Sequence, residues 1–133
     1  MRNQQVLIDS LPQGKLSASN YRLAESEIAP PAAGQVLVKT TAFAITAGTR
    51  AGLQGSASYA GAPTTGVVMN STGVGEVVES TVAEYAVGDA VVAPTGWQTL
   101  SLHEARALTK IDPSHDPVHY LGPLGVNGLT AYF

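Results

Sequence analysis

Gly73-Val74-Gly75-Glu76-Val77-Val78-Glu79-Ser80, followed by Val87-Gly88-Asp89 and Ala90-Val91-Val92-Ala93, decides the fold class. The first segment is a strand with glycines where close backbone approach or a bulge is expected. The Gly88 turn then leads directly into a second, β-branched strand. Upstream, Gln35 to Ile45 predicts another strand, with Val36, Val38 and Thr40 on one face and Leu37, Lys39 and Thr41 on the other. Val6-Leu7-Ile8, Tyr21 to Ile28, Gly66 to Met69, Trp97 to Leu102 and Ala107 to Ile111 complete the series. Turns at Pro12-Gln13-Gly14, Pro30 to Gly34 and Pro94-Thr95-Gly96 separate them. Strands at this spacing predict a mainly β fold, an antiparallel barrel or sandwich.

Five stretches break the strand pattern. Thr46 to Gly55 loses the period-two alternation, and Thr46 is placed to cap a short helical turn through Arg50 and Leu53. Ser17 to Asn20, and Ser56 to Thr65 with its Gly, Ala, Ser and Pro, predict loops. Asp116-Pro117 predicts a helix start, because proline is tolerated at the first helical position. The chain closes on Leu121 to Phe133, an apolar, helical-looking run with Gly122, Gly125 and Gly128 at three-residue spacing.

At 133 residues the chain is a single domain, 1–133, large enough for its own core. Charged residues make up 13%, about half the share usual in soluble domains. Alanine-rich composition explains that; so does a surface that faces another domain or subunit. A net charge of −3 offers no basic footprint for nucleic acid. The absence of cysteine removes disulfides, thiolate catalysis and cysteine-containing zinc sites. No apolar run reaches the roughly 18 residues of a membrane helix, and the N-terminus does not lead into a signal core, which predicts a cytoplasmic protein.

The order of the segments resembles the GroES-like catalytic domain of medium-chain dehydrogenases and reductases. The resemblance rests on Gln35 to Lys39 after a Pro/Gly turn, then Gly73 to Ser80, then Val87 to Val92. Ser58-Tyr59-Ala60 before Gly66 to Met69, Gly96-Trp97-Gln98, Lys110 to Ser114 and Gly128 to Phe133 are similar to one branch. That branch is the zinc-independent leukotriene hydroxydehydrogenase, prostaglandin reductase and curcumin reductase group, and the likeness is collinear over nearly the whole chain. It implies a partly open GroES-like β-barrel with short helices and a C-terminal helix leading toward a Rossmann domain beyond the 133 residues.

The resemblance also implies a reaction: NADPH (or NADH) reduces the double bond of an α,β-unsaturated ketone or aldehyde without a metal. Thr130 would stand near the nicotinamide carboxamide, with Asn127 and Gly128 beside it; a helical threonine bonding its own preceding turn is the plainer alternative. Tyr59 is the candidate donor to a substrate carbonyl, in the role of catalytic residue, with ordinary aromatic packing as its alternative. Arg50, a candidate substrate-binding residue, would meet a carboxylate or a cofactor phosphate, or simply solvent. Trp97 would line the substrate or pack between domains. Where the family has a run of Asp, Pro, Tyr, Met and Arg, this chain has Thr46-Ala47-Gly48-Thr49-Arg50 and keeps only the arginine.

Gly73-Val74-Gly75 lacks the third small residue and the helix of a dinucleotide fingerprint, so sheet packing is its expected role. His115 and His119 are four apart, but Pro117 is expected to start the helix between them and separate their faces. Three readings follow. The chain is the substrate-side domain of an NAD(P)H-dependent reductase, inactive alone; or a barrel module for dimerisation or small apolar ligands; or half of a split reductase whose Rossmann partner is another chain. A missing return segment would leave a strand edge unpaired, which predicts a homo-oligomer.

Overall fold

The computed structural model describes residues 1–46, 49, 53, 65–122, 124–125 and 131. Among the described residues seven strands, all paired antiparallel, form two sheets: β1 (Arg2–Ile8) with β2 (Tyr21–Glu27), and a five-stranded sheet in the order β6-β3-β4-β5-β7. The strands of the second sheet are β3 (Gln35–Phe43), β4 (Gly73–Ser80), β5 (Ala90–Ala93), β6 (Leu100–Glu104) and β7 (Thr109–Lys110). The fold is mainly β with few helices and no closed barrel.

β3 is an interior strand of the five-stranded sheet, between β6 and β4. Val36, Leu37 and Val38 are all essentially inaccessible, so its two faces are both covered here rather than alternating in and out. Val36 and Val38 pack with Val77, Val91, Ala93 and Leu108 in one apolar cluster. The simple alternation expected for β3 also fails further along, where register shifts interrupt its pairing with β4 between Leu37 and Val38 and between Thr40 and Ala42. The first shift leaves Val78 of β4 as the extra residue and the second leaves Thr41 of β3, so only the second interrupts the alternation of β3. Gly75 lies against this strand: a Cβ there would stand 2.5 Å from the Lys39 carbonyl oxygen and 2.6 Å from Val38 Cγ1. The sheet-packing role expected for Gly73 and Gly75 is thus observed.

β7 is only two residues long because Ala105–Ala107 turns as a 3-10 helix where the sequence predicts strand from Ala107. Side chains hold the short strand in place. Tyr85 donates to the Leu108 carbonyl at 3.1 Å, and Lys110 Nζ donates to the Glu84 carbonyl at 2.7 Å while lying 3.3 Å from Asp89 Oδ2.

β1 begins four residues earlier than the apolar run Val6-Leu7-Ile8 suggests, because its polar half has partners on both sides. Val6 N–H donates to the Trp97 carbonyl and Ile8 N–H to the Val67 carbonyl, both at 2.9 Å. These bonds join the two sheets. They also revise two predicted strands. Gly66 to Met69 contributes one isolated bridge, Val68 to Leu7, since Gly66 at φ +76 turns the chain immediately before it. Trp97 to Thr99 likewise bridges β1, and regular β6 starts at Leu100. Thr99 changes partners: its N–H donates to Gln4 and its carbonyl accepts from Thr40.

Asn3 sits at that divergence, 2% exposed. Its Oδ1 accepts from Leu100 N–H at 2.9 Å and Thr99 Oγ1 at 3.1 Å, and its Nδ2 donates to Gln98 Oε1 at 3.0 Å. A side chain thus takes the place of a ladder bond where the backbones separate.

Ser17 to Asn20, expected as loop, contains a 3-10 turn over Ala18–Asn20. The predicted helix start at Asp116-Pro117 is present, in tighter form: Pro117–Leu121 is a 3-10 helix and Asp116 Oδ1 accepts from Val118 N–H at 3.1 Å. Gly125 follows it, and a Cβ there would collide with the Tyr120 carbonyl oxygen. Close packing accounts for this glycine. Residues 123, 126–130 and 132–133 of the run expected as helix lie outside the described residues.

Candidate functional site

Trp97 is the predicted site residue that the described structure places. Gly96, at φ +64, swings the chain so that Trp97 N–H reaches the Met69 carbonyl at 2.9 Å. The indole lies at the junction of the two sheets. Tyr21 of β2 approaches on a tilted plane, ring centroids 5.5 Å apart, and Phe43 at the end of β3 stacks at 5.4 Å and 22°. Beneath them Ile8, Leu53 and Met69 form a second apolar cluster, with Val6, Leu11 and Leu16 around it. Offset aromatic contacts of this kind contribute about 1 kcal/mol each beyond area burial. Packing, the plainer reading of Trp97, is therefore real.

It is not the whole account. The indole Nε1 is buried and has no hydrogen-bond partner among the described residues. A buried donor left unsatisfied costs about 1–3 kcal/mol, and tryptophans usually find an acceptor. The Thr40 hydroxyl is also buried without a partner.

Arg50, Tyr59, Asn127, Gly128 and Thr130 lie outside the described residues. The turn before Arg50 is partly visible: Thr49 N–H donates to the Thr46 carbonyl at 3.0 Å and Thr49 Oγ1 accepts from Thr46 N–H at 3.2 Å. The bond runs opposite to the predicted cap, with Thr49 rather than Thr46 supplying the hydroxyl acceptor. Leu53, three residues past Arg50, is buried in the same cluster that Trp97 packs on.

Titratable groups with displaced pKa values lie elsewhere. Burial pushes the His103 imidazole down from the ordinary 6.5, and its Nε2 is 2.7 Å from Ser101 Oγ. Asp89 is held low first by the Ala86 N–H, with Lys110 assisting, and Asp112 by the backbone and hydroxyl of Ser114. Sequence reasoning missed the burial of His103 and the roles of Tyr21, Phe43 and Asn3. The last three acquire their roles from residues at least 50 positions away, and no local pattern signals that. His115 Nδ1 lies 3.2 Å from the Tyr120 hydroxyl. Among the described residues, no group of three or more His, Cys, Asp or Glu is placed to hold a metal, and no helix is long and apolar enough to cross a membrane.

Comparison with known proteins agrees with this geometry. Residues 4–111 match the family model described as the N-terminal domain of oxidoreductase. The chain is 35% identical over 132 residues to the NADPH-dependent curcumin reductase of Escherichia coli, covering 98% of this chain and 38% of that protein. It is 39% identical over 72 residues to bovine prostaglandin reductase 1, covering 51% of this chain and 22% of that protein. Crystal structures of CurA from Vibrio vulnificus, alone and in complex with NADPH, each superpose with a TM-score of 0.88 at 33% and 32% identity. They cover 98% and 97% of this chain and 39% of CurA. The chain thus spans about two fifths of the length of curcumin reductase and of CurA.

Proposed function

The chain belongs to the N-terminal oxidoreductase-domain family, in the zinc-independent curcumin and prostaglandin reductase branch of the medium-chain dehydrogenases and reductases, and we propose that it forms the substrate side of an NADPH-dependent enone reductase. The reaction is saturation of the double bond of an α,β-unsaturated ketone or aldehyde. The observation that carries this reading is the likeness over 97% of the chain to a protein crystallised with NADPH. The unpartnered indole donor of Trp97 supports it from the chain itself.

NADPH, when bound, supplies the hydride that the β-carbon receives; a proton then completes the α-carbon. The chain's own residues orient the acceptor and exclude water. In this reading the Tyr21, Trp97 and Phe43 rings form a flat wall for a conjugated substrate, and Trp97 Nε1 donates to an acceptor oxygen on it. Tyr59 donates to the carbonyl, where charge builds as the hydride arrives. Arg50 binds an anionic group of the substrate. Thr130, with Asn127 and Gly128, holds the nicotinamide edge so that the donor carbon faces the alkene. The phosphates need a Rossmann domain, supplied in the same chain or by another, so the 133 residues alone bind NADPH weakly and consume none.

The test is a chimera of this chain with the cofactor-binding remainder of Vibrio vulnificus CurA. NADPH consumption with an enone, and none with the matching saturated ketone, is the expected result. A chimera that binds NADPH yet ignores enones, or an isolated chain that binds NADPH with micromolar affinity by calorimetry, overturns the proposal.

A further inference from the structure

Among the described residues, the β1–β2 hairpin leaves one edge open, on β2. The bonds of β1 establish which main-chain groups face it. Ile28 N–H donates to the Met1 carbonyl, while Val6 and Ile8 send their N–H groups away from β2 to Trp97 and Val67. Antiparallel alternation then makes Asn3/Ser26, Gln5/Ala24 and Leu7/Arg22 the hydrogen-bonded pairs within the hairpin. The N–H and carbonyl groups of Leu23 and Glu25 therefore point outward, and no described residue bonds them there. The Tyr21 carbonyl faces the same way, while its N–H is taken by Ala18.

Leu23 stands in the middle of this edge. It is 83% exposed, more than any other large apolar side chain among the described residues. Charge is a common device for blunting an open edge, but the charges here cancel. The Met1 ammonium pairs with Glu27 at 3.2 Å, Arg2 with Glu25 at 2.8 Å and Arg22 with Asp9 at 3.3 Å. Three cations meet three carboxylates, so a second identical edge meets no net repulsion.

We propose that β2 pairs antiparallel with β2 of a second copy of this chain, about a two-fold axis through Leu23. Side-chain chemistry selects that register. Centred on Leu23, leucine faces leucine, Tyr21 faces the partner's Glu25 and Arg22 faces the partner's Ala24. Centring on Arg22 or Glu25 sets like charges face to face, and centring on Ala24 sets Leu23 against the partner's Glu25; like charges directly opposite are destabilising. The chosen register lets Leu23 exchange two main-chain bonds with its copy and lets each Glu25 N–H reach a Tyr21 carbonyl, about four bonds in all. The product is a four-stranded β1-β2-β2-β1 sheet with the isologous interface of a two-fold dimer. It depends on the hairpin alone and not on the catalytic reading.

Sedimentation equilibrium of the 133-residue chain tests it. We expect a concentration-dependent dimer whose dissociation constant rises at least tenfold in Leu23→Lys, with the far-ultraviolet spectrum unchanged because the side chain is exposed. Leu23→Cys adds the chain's single cysteine. Opposed Cα atoms in such a pair lie about 5.5 Å apart, within disulfide range. Mild oxidation should link Leu23→Cys into a covalent dimer at least tenfold faster than Val87→Cys, whose parent side chain is 69% exposed. A chain monomeric at millimolar concentration, a dimer indifferent to Leu23→Lys, or equal cross-linking at both positions overturns the proposal. Association of the chain only with an unlike protein does so as well.

Discussion

Asn3 Oδ1 accepts the main-chain N–H of Leu100 at 2.9 Å, across 97 positions of chain. The bond lies where β1 and β6 part, and it supplies a main-chain donor with the acceptor that the diverging strand no longer offers. Asn3→Ala should therefore cost about 2 kcal/mol, the penalty of leaving buried polar groups unsatisfied. Urea denaturation followed by circular dichroism measures this as a lowered midpoint with an unchanged slope. A loss under a few tenths of a kcal/mol would mean that water replaces the side chain without cost.

Gly75 is a second strict position. Its hypothetical Cβ meets the Lys39 carbonyl, a main-chain atom that cannot rotate away. Gly75→Ala should destabilise by about 2 kcal/mol through overpacking. Thermal unfolding of this variant, beside the wild type, provides the measurement, and a wild-type melting temperature would contradict the packing described for β3 and β4.

His103 makes stability depend on pH. Burial lowers its folded-state pKa below 6.5, so the unfolded chain binds the proton more readily. Its contribution is complete above pH 6.5 and declines as pH falls from there toward the folded-state value. Asp89 and Asp112, also displaced downward, act in a separate window: their contributions are present above 3.8 and vanish below it, as pH falls through their folded values. Urea midpoints between pH 7.5 and 5 should fall in the wild type and stay nearly level in His103→Gln. Parallel curves for the two proteins would remove His103 from the account.

Trp97 separates packing from binding. Trp97→Phe keeps a ring between Tyr21 and Phe43 and deletes the unpartnered N–H, so stability should change by less than about 1 kcal/mol. Trp97→Ala removes the ring and should cost roughly 3 kcal/mol. In the CurA chimera, Trp97→Phe should raise KM for the enone several-fold, with KM for NADPH unaltered. An unchanged enone KM would assign the residue to packing alone.

Much of the strand framework was legible because each strand carries a local record of itself. Val36 to Val38, Gly73 to Ser80 and Ala90 to Ala93 are β-branched runs bounded by Gly or Pro, and all three appear as strands. The Asp116-Pro117 start was legible for the same reason: a cap and a fixed φ are properties of adjacent residues. Legibility failed where pairing partners decide the outcome. Arg2 to Gln5 look like a polar lead-in, yet they are strand because Gln98 and Thr99 on one side and Ala24 to Glu27 on the other satisfy their backbone. Gly66 to Met69 has strand composition but, after the turn at Gly66, makes only one bridge.

The site divides in the same way. Trp97 could be singled out from Gly96-Trp97-Gln98 by resemblance, but its setting could not. Tyr21 and Phe43 sit 76 and 54 positions before it, and only the junction of the two sheets brings their rings to 5.5 and 5.4 Å. That junction also leaves the indole N–H buried without an acceptor among the described residues.

By itself, then, the sequence determined the mainly β class, the family and the glycines at which strands approach, since these depend on neighbouring residues and their order. Only the tertiary structure decided that Asn3 terminates a ladder, that Trp97 holds an unpaired donor, that His103 is buried, and that β2 presents Leu23 on an open edge. Burial and hydrogen-bond satisfaction depend on segments far apart in the chain, and they acquire a value only when those segments meet.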